Sequence, residues 1–190
     1  MTSKFIYECT DCGRQIPAGE IIYLCPDCSA KQLPDQPPLG VLKVSYDYKA
    51  LSELSFSKLM EDQFLQLLPV DHSNSFPNLR VGQTPLYEIH ALDRQVSDFQ
   101  LFLKDDSQNP TFSFKDRASA LVSAFAKENG IDTIVAASTG NAGSSLAGIC
   151  AAQGQQAIIF VPATAPKAKL TQIMMYGATL LPVAGNYDQA

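Results

Sequence analysis

Apolar and polar positions alternate in two different ways along this chain, and the change falls near Thr84. Beyond it, short apolar runs alternate with stretches of helical period. LFLK (101–104), TIVAA (133–137), AIIFVP (157–162) and TLLPV (179–183) read as strands. Between them, Lys115 to Asn129 places Ala118, Leu121, Val122 and Phe125 on one face, with Gly130 just past the end. Residues 141–153 are Ala-rich and helical, ended by Gly154, and Lys167 to Tyr176 is stopped by Gly177. Strands alternating with helices predict βαβ units: an α/β fold in three layers, a parallel sheet of four strands with helices on both faces.

Upstream the periodicity is weaker. Leu54, Leu59, Phe64 and Leu68 fall at roughly helical intervals, so the spacing predicts one helix over 52–68, closed by Pro69. EIIYL (20–24) and VLKVSYDY (41–48) are strand-like, PDQPPLG (34–40) is a Pro-rich linker, and 71–83 is turn-rich. The expected division is a cysteine-bearing segment at 1–30, a linker and helical region at 31–83, and an α/β domain at 84–190. GNYDQA (185–190) resembles the loop before another helix. The α/β domain is therefore expected to be partial, the front portion of a longer protein.

Composition changes this picture little. Of 190 residues, 46% are apolar and 17% charged, an ordinary globular balance. The net charge of −5, with no Lys/Arg run, argues against nucleic acid or an acidic membrane as partner. No apolar stretch approaches the roughly 18 residues of a membrane span. The N-terminus lacks the apolar core of a signal peptide, so the expected location is cytoplasmic.

Cysteine spacing adds chemistry. Cys9, Cys12, Cys25 and Cys28 form C-x2-C-x12-C-x2-C, a pattern in which each CxxC turn points two thiolates at one zinc ion. Gly13 follows where the backbone must turn sharply. Two disulfides are the alternative, disfavoured in a reducing compartment, and a redox pair lacks the surrounding βαβ unit. Four thiolates leave no open position, so the site is expected to be structural, with the metal supplying folding free energy to a segment too small for a core of its own. Cys150 reads as a small buried apolar residue.

Two loops carry the remaining candidates. Lys115 opens a helix after LFLK and the turn residues Gln108, Asn109 and Pro110. A helix dipole and the apolar neighbours Phe112 and Phe114 both disfavour the ammonium form, and a neutral amine is what condensation with a carbonyl requires. Taken alone, a solvated surface lysine accounts for the position better. STGNAG (138–143) follows TIVAA and opens the next helix. Its amides and the Ser138 and Thr139 hydroxyls suit a carboxylate or phosphate, and Gly140 permits close approach; an ordinary capped turn fits equally well. Together the two loops point to a site, because parallel topology would bring both to one rim of the sheet.

GQTPL (82–86), KDDSQNPTFSFKDR (104–117), STGNAGSSLA (138–147) and KAKLTQIMMYGA (167–178) resemble, in order and spacing, the fold-type II enzymes that use pyridoxal 5′-phosphate (PLP). Within them the resemblance is greatest to the threonine synthase family, some of whose members carry a similar zinc-ribbon-like segment. It is strong over roughly 82–185 and weak between 31 and 80. The resemblance implies that Lys115 attaches the cofactor and later shuttles protons. It implies that Phe114 packs against the cofactor and that Asn141 hydrogen-bonds its ring oxygen. Ser138, Thr139, Asn141 and Ala142 would bind the substrate carboxylate, with Gly140 giving access; Ala142 stands where many relatives have a hydroxyl, so only its backbone could serve. Asp116 and Arg117 would support the turn. The implied activity converts O-phospho-L-homoserine and water to L-threonine and phosphate. Partners would be a small amino-acid substrate and, as the assembly to test, a second copy in a homodimer. Two other readings stand beside it: a threonine dehydratase-like or other PLP-dependent lyase, and an inactive truncated homologue serving as a zinc-binding interaction module.

Overall fold

The structure is a computed structural model that describes residues 4–19, 22–33, 36–93, 95–163, 165 and 167–184. The chain divides into two compact units, Met1–Asp71 and His72–Ala190. This differs from the three-part division expected from composition, and the reason is strand pairing across the proline-rich stretch.

In the first unit, β1 (Phe5–Cys9) is the middle strand of an antiparallel sheet, flanked by β2 (Gln15–Pro17) and β3 (Leu42–Tyr46). β1 alternates strictly, with Phe5, Tyr7 and Cys9 buried, which is the period-two pattern of a half-buried strand. Glu8 lies opposite Lys43 in the register and pairs with it at 2.8 Å. β3 therefore belongs with the cysteine segment. EIIYL forms no strand among its described residues: Leu24 makes one isolated bridge to Val41, while Glu20 and Ile21 lie outside the described residues. The helix α1 (Pro26–Ser29) carries proline at its first position, where the missing N–H costs nothing.

The single helix expected over 52–68 is broken. Two short helices, α2 (Tyr48–Ser52) and α3 (Phe56–Glu61), are capped by the Asp47 and Ser55 side chains. Gln63 and Phe64 then take left-handed backbone (φ 56° and 62°), which ends α3. Caps and a backbone reversal override a moderate periodicity.

In the second unit, β4 (Leu86–Leu92) and β5 (Gln95–Lys104) form an antiparallel hairpin. LFLK is the end of this longer strand. It is not part of the parallel sheet, which among the described residues has three strands rather than the expected four. That sheet follows the helix α4 (Asp116–Glu128) and runs β6 (Thr133–Ala137), β7 (Gln156–Pro162) and β8 (Thr179–Val183), in that order. α5 (Asn141–Gln153) and α6 (Lys167–Met175) make its two crossovers. Crossovers of one hand along an unreversed strand order put both helices on one face. Ile134, Ala157, Ile159 and Val161 line that face and form one core with Leu146, Ala147, Cys150 and Ile173. The fold class is the expected mixed α/β with a parallel sheet. On the opposite face Val135 is 56% exposed and Leu181 38%, so the described helices cover one side only and TIVAA is half-buried. No described helix is long and apolar enough to cross a membrane.

Candidate functional site

Lys115 sits at the N-cap of α4, at the end of a tightly held loop. The loop is built around two carboxylates. Asp116 is fully buried and accepts from the Thr111 backbone N–H at 2.7 Å and from the Thr111 hydroxyl. Asp106 accepts from Arg117 Nη2 and from the Thr84 hydroxyl, both at 2.7 Å. The Arg117 hydrogen bond, with that of Thr84, holds the Asp106 carboxyl down to about 2. Asn109, also buried, accepts from Gly82 N–H at 2.9 Å and donates to the Asp106 carbonyl at 2.9 Å. Gly82 needs its glycine: its φ is +75°, and a Cβ there would lie 2.9 Å from Arg117 Nη1. The sequence alone did not single out Asp106, Thr84 and Thr111: Thr84 reaches Asp106 only once the hairpin closes, and Arg117 and Asp116 reach Asp106 and Thr111 only through the fold of the 106–117 loop.

Above this clamp the loop presents its aromatic residues outward. Phe112 has left-handed backbone (φ 60°) and is 76% exposed, a conformation that costs a non-glycine residue about 1–2 kcal/mol. Phe114 is exposed as well, and the Lys115 ammonium lies 5.5 Å from its ring centroid.

The second loop connects β6 to α5. Ser138 continues the sheet by donating its N–H to the Phe160 carbonyl at 3.1 Å. Its hydroxyl is buried and accepts from the N–H groups of Gly143 (2.9 Å) and Gly140 (3.3 Å). Ser138, two residues before the N-cap Gly140, thus ties the turn to the first turn of α5. Thr139 and Gly140 are half-buried, and Asn141 and Ala142 are exposed at the helix start. The Asn141 and Ala142 amides have no protein acceptor among the described residues, so the turn offers donors to an anion. The Asn141 carboxamide oxygen accepts from Lys169 Nζ on α6 at 2.8 Å.

The two loops share one end of the unit, but not for the expected reason. β5 lies outside the parallel sheet, so no common strand rim joins them. Instead α4 packs on α5: the Ser145 hydroxyl donates to Ser119 at 2.7 Å, and Ser123 donates to Gln155 at 2.6 Å. Both contacts advance toward the C-termini together, so the helices run in the same sense and their N-termini open from the same end. The loop that carries Lys115 and the turn with free amides thus open from the same end of the α4–α5 pair. An amine of this kind can hold a carbonyl cofactor, and such a turn can bind a carboxylate or phosphate.

The cysteine cluster is a separate centre. The sulfurs of Cys9, Cys12, Cys25 and Cys28 all lie within 4.8 Å of one another, and these four can hold a metal ion. Cys9 and Cys28 are 3.8 Å apart, and Cys12 and Cys25 3.9 Å. The Cys12 and Asp11 backbone N–H groups bring the Cys9 thiol down to about 7, whereas the hydrogen bond with Cys12 and burial push Cys28 up to about 12. Gly40 (φ +82°) comes so close to Cys25 that a Cβ would meet its backbone at 3.0 Å. Gly13 turns the first knuckle at φ +71°. Cys150 is buried on α5, its thiol pushed up to about 11 by burial, and no disulfide is formed.

Comparison with known proteins bears on the α/β unit first. The family model described as "Pyridoxal-phosphate dependent enzyme" matches residues 78–190. A threonine synthase of Methanocaldococcus jannaschii is 34% identical over 97% of this chain and 45% of its own length. One of Methanosarcina acetivorans is 32% identical over 96% of this chain and 44% of its own. The chain therefore spans under half the length of these relatives. Among solved structures, a hydrogen sulfide-producing enzyme of Fusobacterium nucleatum superposes with a TM-score of 0.52 at 29% identity, over 57% of this chain and 36% of that one.

Proposed function

This chain belongs to the pyridoxal-phosphate dependent enzymes, and from that premise we propose that it is the front portion of a threonine synthase, which forms L-threonine and phosphate from O-phospho-L-homoserine and water. The observation that carries the proposal is coverage. The two archaeal threonine synthases match nearly the whole chain, the cysteine-bearing unit included, whereas the sulfide-producing enzyme matches only 57% of it.

The residues fit the cofactor. Lys115 is an exposed amine at a helix N-terminus, beside the exposed ring of Phe114. Lys115 would hold PLP through Nζ, and Phe114 would lie against it. Asn141 would donate from Nδ2 to the ring oxygen. Bound PLP supplies an electron sink for carbanions on the substrate. The chain's own task is placement and proton traffic. The Asn141 and Ala142 amides, with the Thr139 hydroxyl, would bind the substrate carboxylate, and Gly140 leaves room for it. Ser138 shapes that turn by accepting from the Gly140 and Gly143 N–H groups; its hydroxyl hydrogen is still able to donate. Lys115 Nζ, once released from the cofactor, would take and return substrate protons. Cleavage of the phosphate as leaving group makes this a carbon–oxygen lyase.

The same reading gives the cysteine site to zinc. Four sulfurs at about 2.3 Å from a tetrahedral zinc stand about 3.8 Å apart. The two sulfur–sulfur distances above match that edge. Such a closed site holds the fold and does no chemistry.

The test is direct. Titrating PLP into the chain should develop visible absorbance that Lys115→Ala abolishes, and the synthase of which it is the front portion should turn O-phospho-L-homoserine into threonine and phosphate in equal amounts. Consumption of threonine with no reaction of phosphohomoserine would move the assignment to a dehydratase-like lyase. Absence of any cofactor absorbance would favour a zinc-binding interaction module.

A further inference from the structure

The α5 turn is met by a charged side chain from a third element. Lys169 lies in the first turns of α6, and its Nζ donates to Asn141 Oδ1 at 2.8 Å and to Gln172 Oε1 at 3.3 Å. Its position is built in. Ile173, one turn further along the same face of α6, is fully buried. It packs so closely on α5 that a Cβ added at Gly143 would lie 3.3 Å from Ile173 Cδ1. Gly143 is two residues from Asn141, so the contact that anchors α6 also delivers the lysine to the start of α5.

A carboxamide has an oxygen that accepts and a nitrogen that donates, and in an exposed asparagine either can face a given direction. An ammonium only donates. Lys169 therefore admits one orientation of Asn141: Oδ1 toward α6, and Nδ2 on the opposite edge of the carboxamide, directed away from it. We infer that Lys169 is a positioning residue that sets the Asn141 amide with its NH2 outward, ready to donate to an oxygen anion at the mouth of the turn. Resting on the function proposed above, that anion is the ring oxygen of PLP. The charge also holds the pairing more strongly than a neutral donor could. Gln172 helps by accepting from the same Nζ.

The experiment compares side-chain amide resonances of the 15N-labelled chain, with Asn141 assigned through Asn141→Ala, in wild type, Lys169→Met, Lys169→Arg and Lys169→Glu. Spectra are recorded first without PLP and then during a PLP titration. Without cofactor, the Asn141 signal should move in Lys169→Met and stay near its wild-type place in Lys169→Arg. In Lys169→Glu it should shift the opposite way, because a carboxylate draws the NH2 inward. PLP affinity should fall roughly tenfold in Lys169→Met, further in Lys169→Glu, and little in Lys169→Arg. Unchanged backbone amide signals elsewhere separate these effects from loss of fold. An Asn141 signal indifferent to Lys169→Met, or an equal affinity loss in all three variants, would overturn the inference. If wild type binds no PLP, the proposed function falls, while the cofactor-free spectra still decide whether Lys169 orients Asn141.

Discussion

Asp106 shows how much of the candidate site depends on single contacts that no local pattern announces. Its carboxyl drops from an ordinary 3.8 to about 2, chiefly through Arg117 and then Thr84. A carboxylate whose value is lowered by folding contributes stability above its unfolded value, and that contribution disappears as pH falls through the folded one. The window therefore runs from roughly pH 4 down to roughly pH 2. Wild type should exceed Arg117→Met in urea midpoint by a constant amount above that window, and the gap should shrink within it. A gap that stays constant through the window would mean that Asp106 is not what Arg117 stabilises. The sequence displayed Asp106 and Arg117 inside the motif, yet only the loop's closure makes them partners, with Thr84 joining from before the hairpin. Lys115 differs: its place at a helix start was legible from the turn residues and the amphipathic run that follow one another in the chain.

At the scale of elements, α5 was readable to the residue, because its alanines, its terminal Gly154 and the turn before Asn141 are all local signals. Its fit against its neighbours was not. Gly143 looks like a weak point in a helix, where alanine is worth about 1 kcal/mol more. In the folded chain a Cβ there would stand 2.8 Å from the Ser138 carbonyl oxygen, with Ile173 on the other side. Backbone cannot yield cheaply, and overpacking of this kind costs about 1–3 kcal/mol. Gly143→Ala should therefore lower the denaturation midpoint despite its better helix propensity, and a raised midpoint would mean that the turn relaxes freely. The broken helix over 48–61 has the converse cause. The apolar spacing was there, but the caps at Asp47 and Ser55 and the left-handed Gln63 and Phe64 decided the outcome.

At the scale of the molecule, the described buried apolar residues of the first unit are few: Phe5, Tyr7 and Val70 beside the cysteines, against which Leu39 and Leu42 pack. A bound metal would then supply much of its folding free energy. Chelation of the metal-loaded chain should strip hydrogen-exchange protection from Phe5–Cys9 and Leu42–Tyr46, and Cys25→Ser should do the same without chelator. Retained protection in both cases would show that the sheet stands on its own packing. The cysteine spacing by itself determined that four thiols would converge, since each CxxC is a local turn. The alternation of strands and helices after residue 130 likewise determined a parallel sheet, because periodicity and stop signals act over a few residues. Tertiary structure alone decided the rest. It assigned LFLK to a hairpin, drew β3 to the cysteine segment, set α4 against α5 through the Ser119–Ser145 contact, and brought Lys169 to Asn141. Each of these pairs groups far apart in sequence, and which long-range contact wins is set by competition among packings that no short window contains.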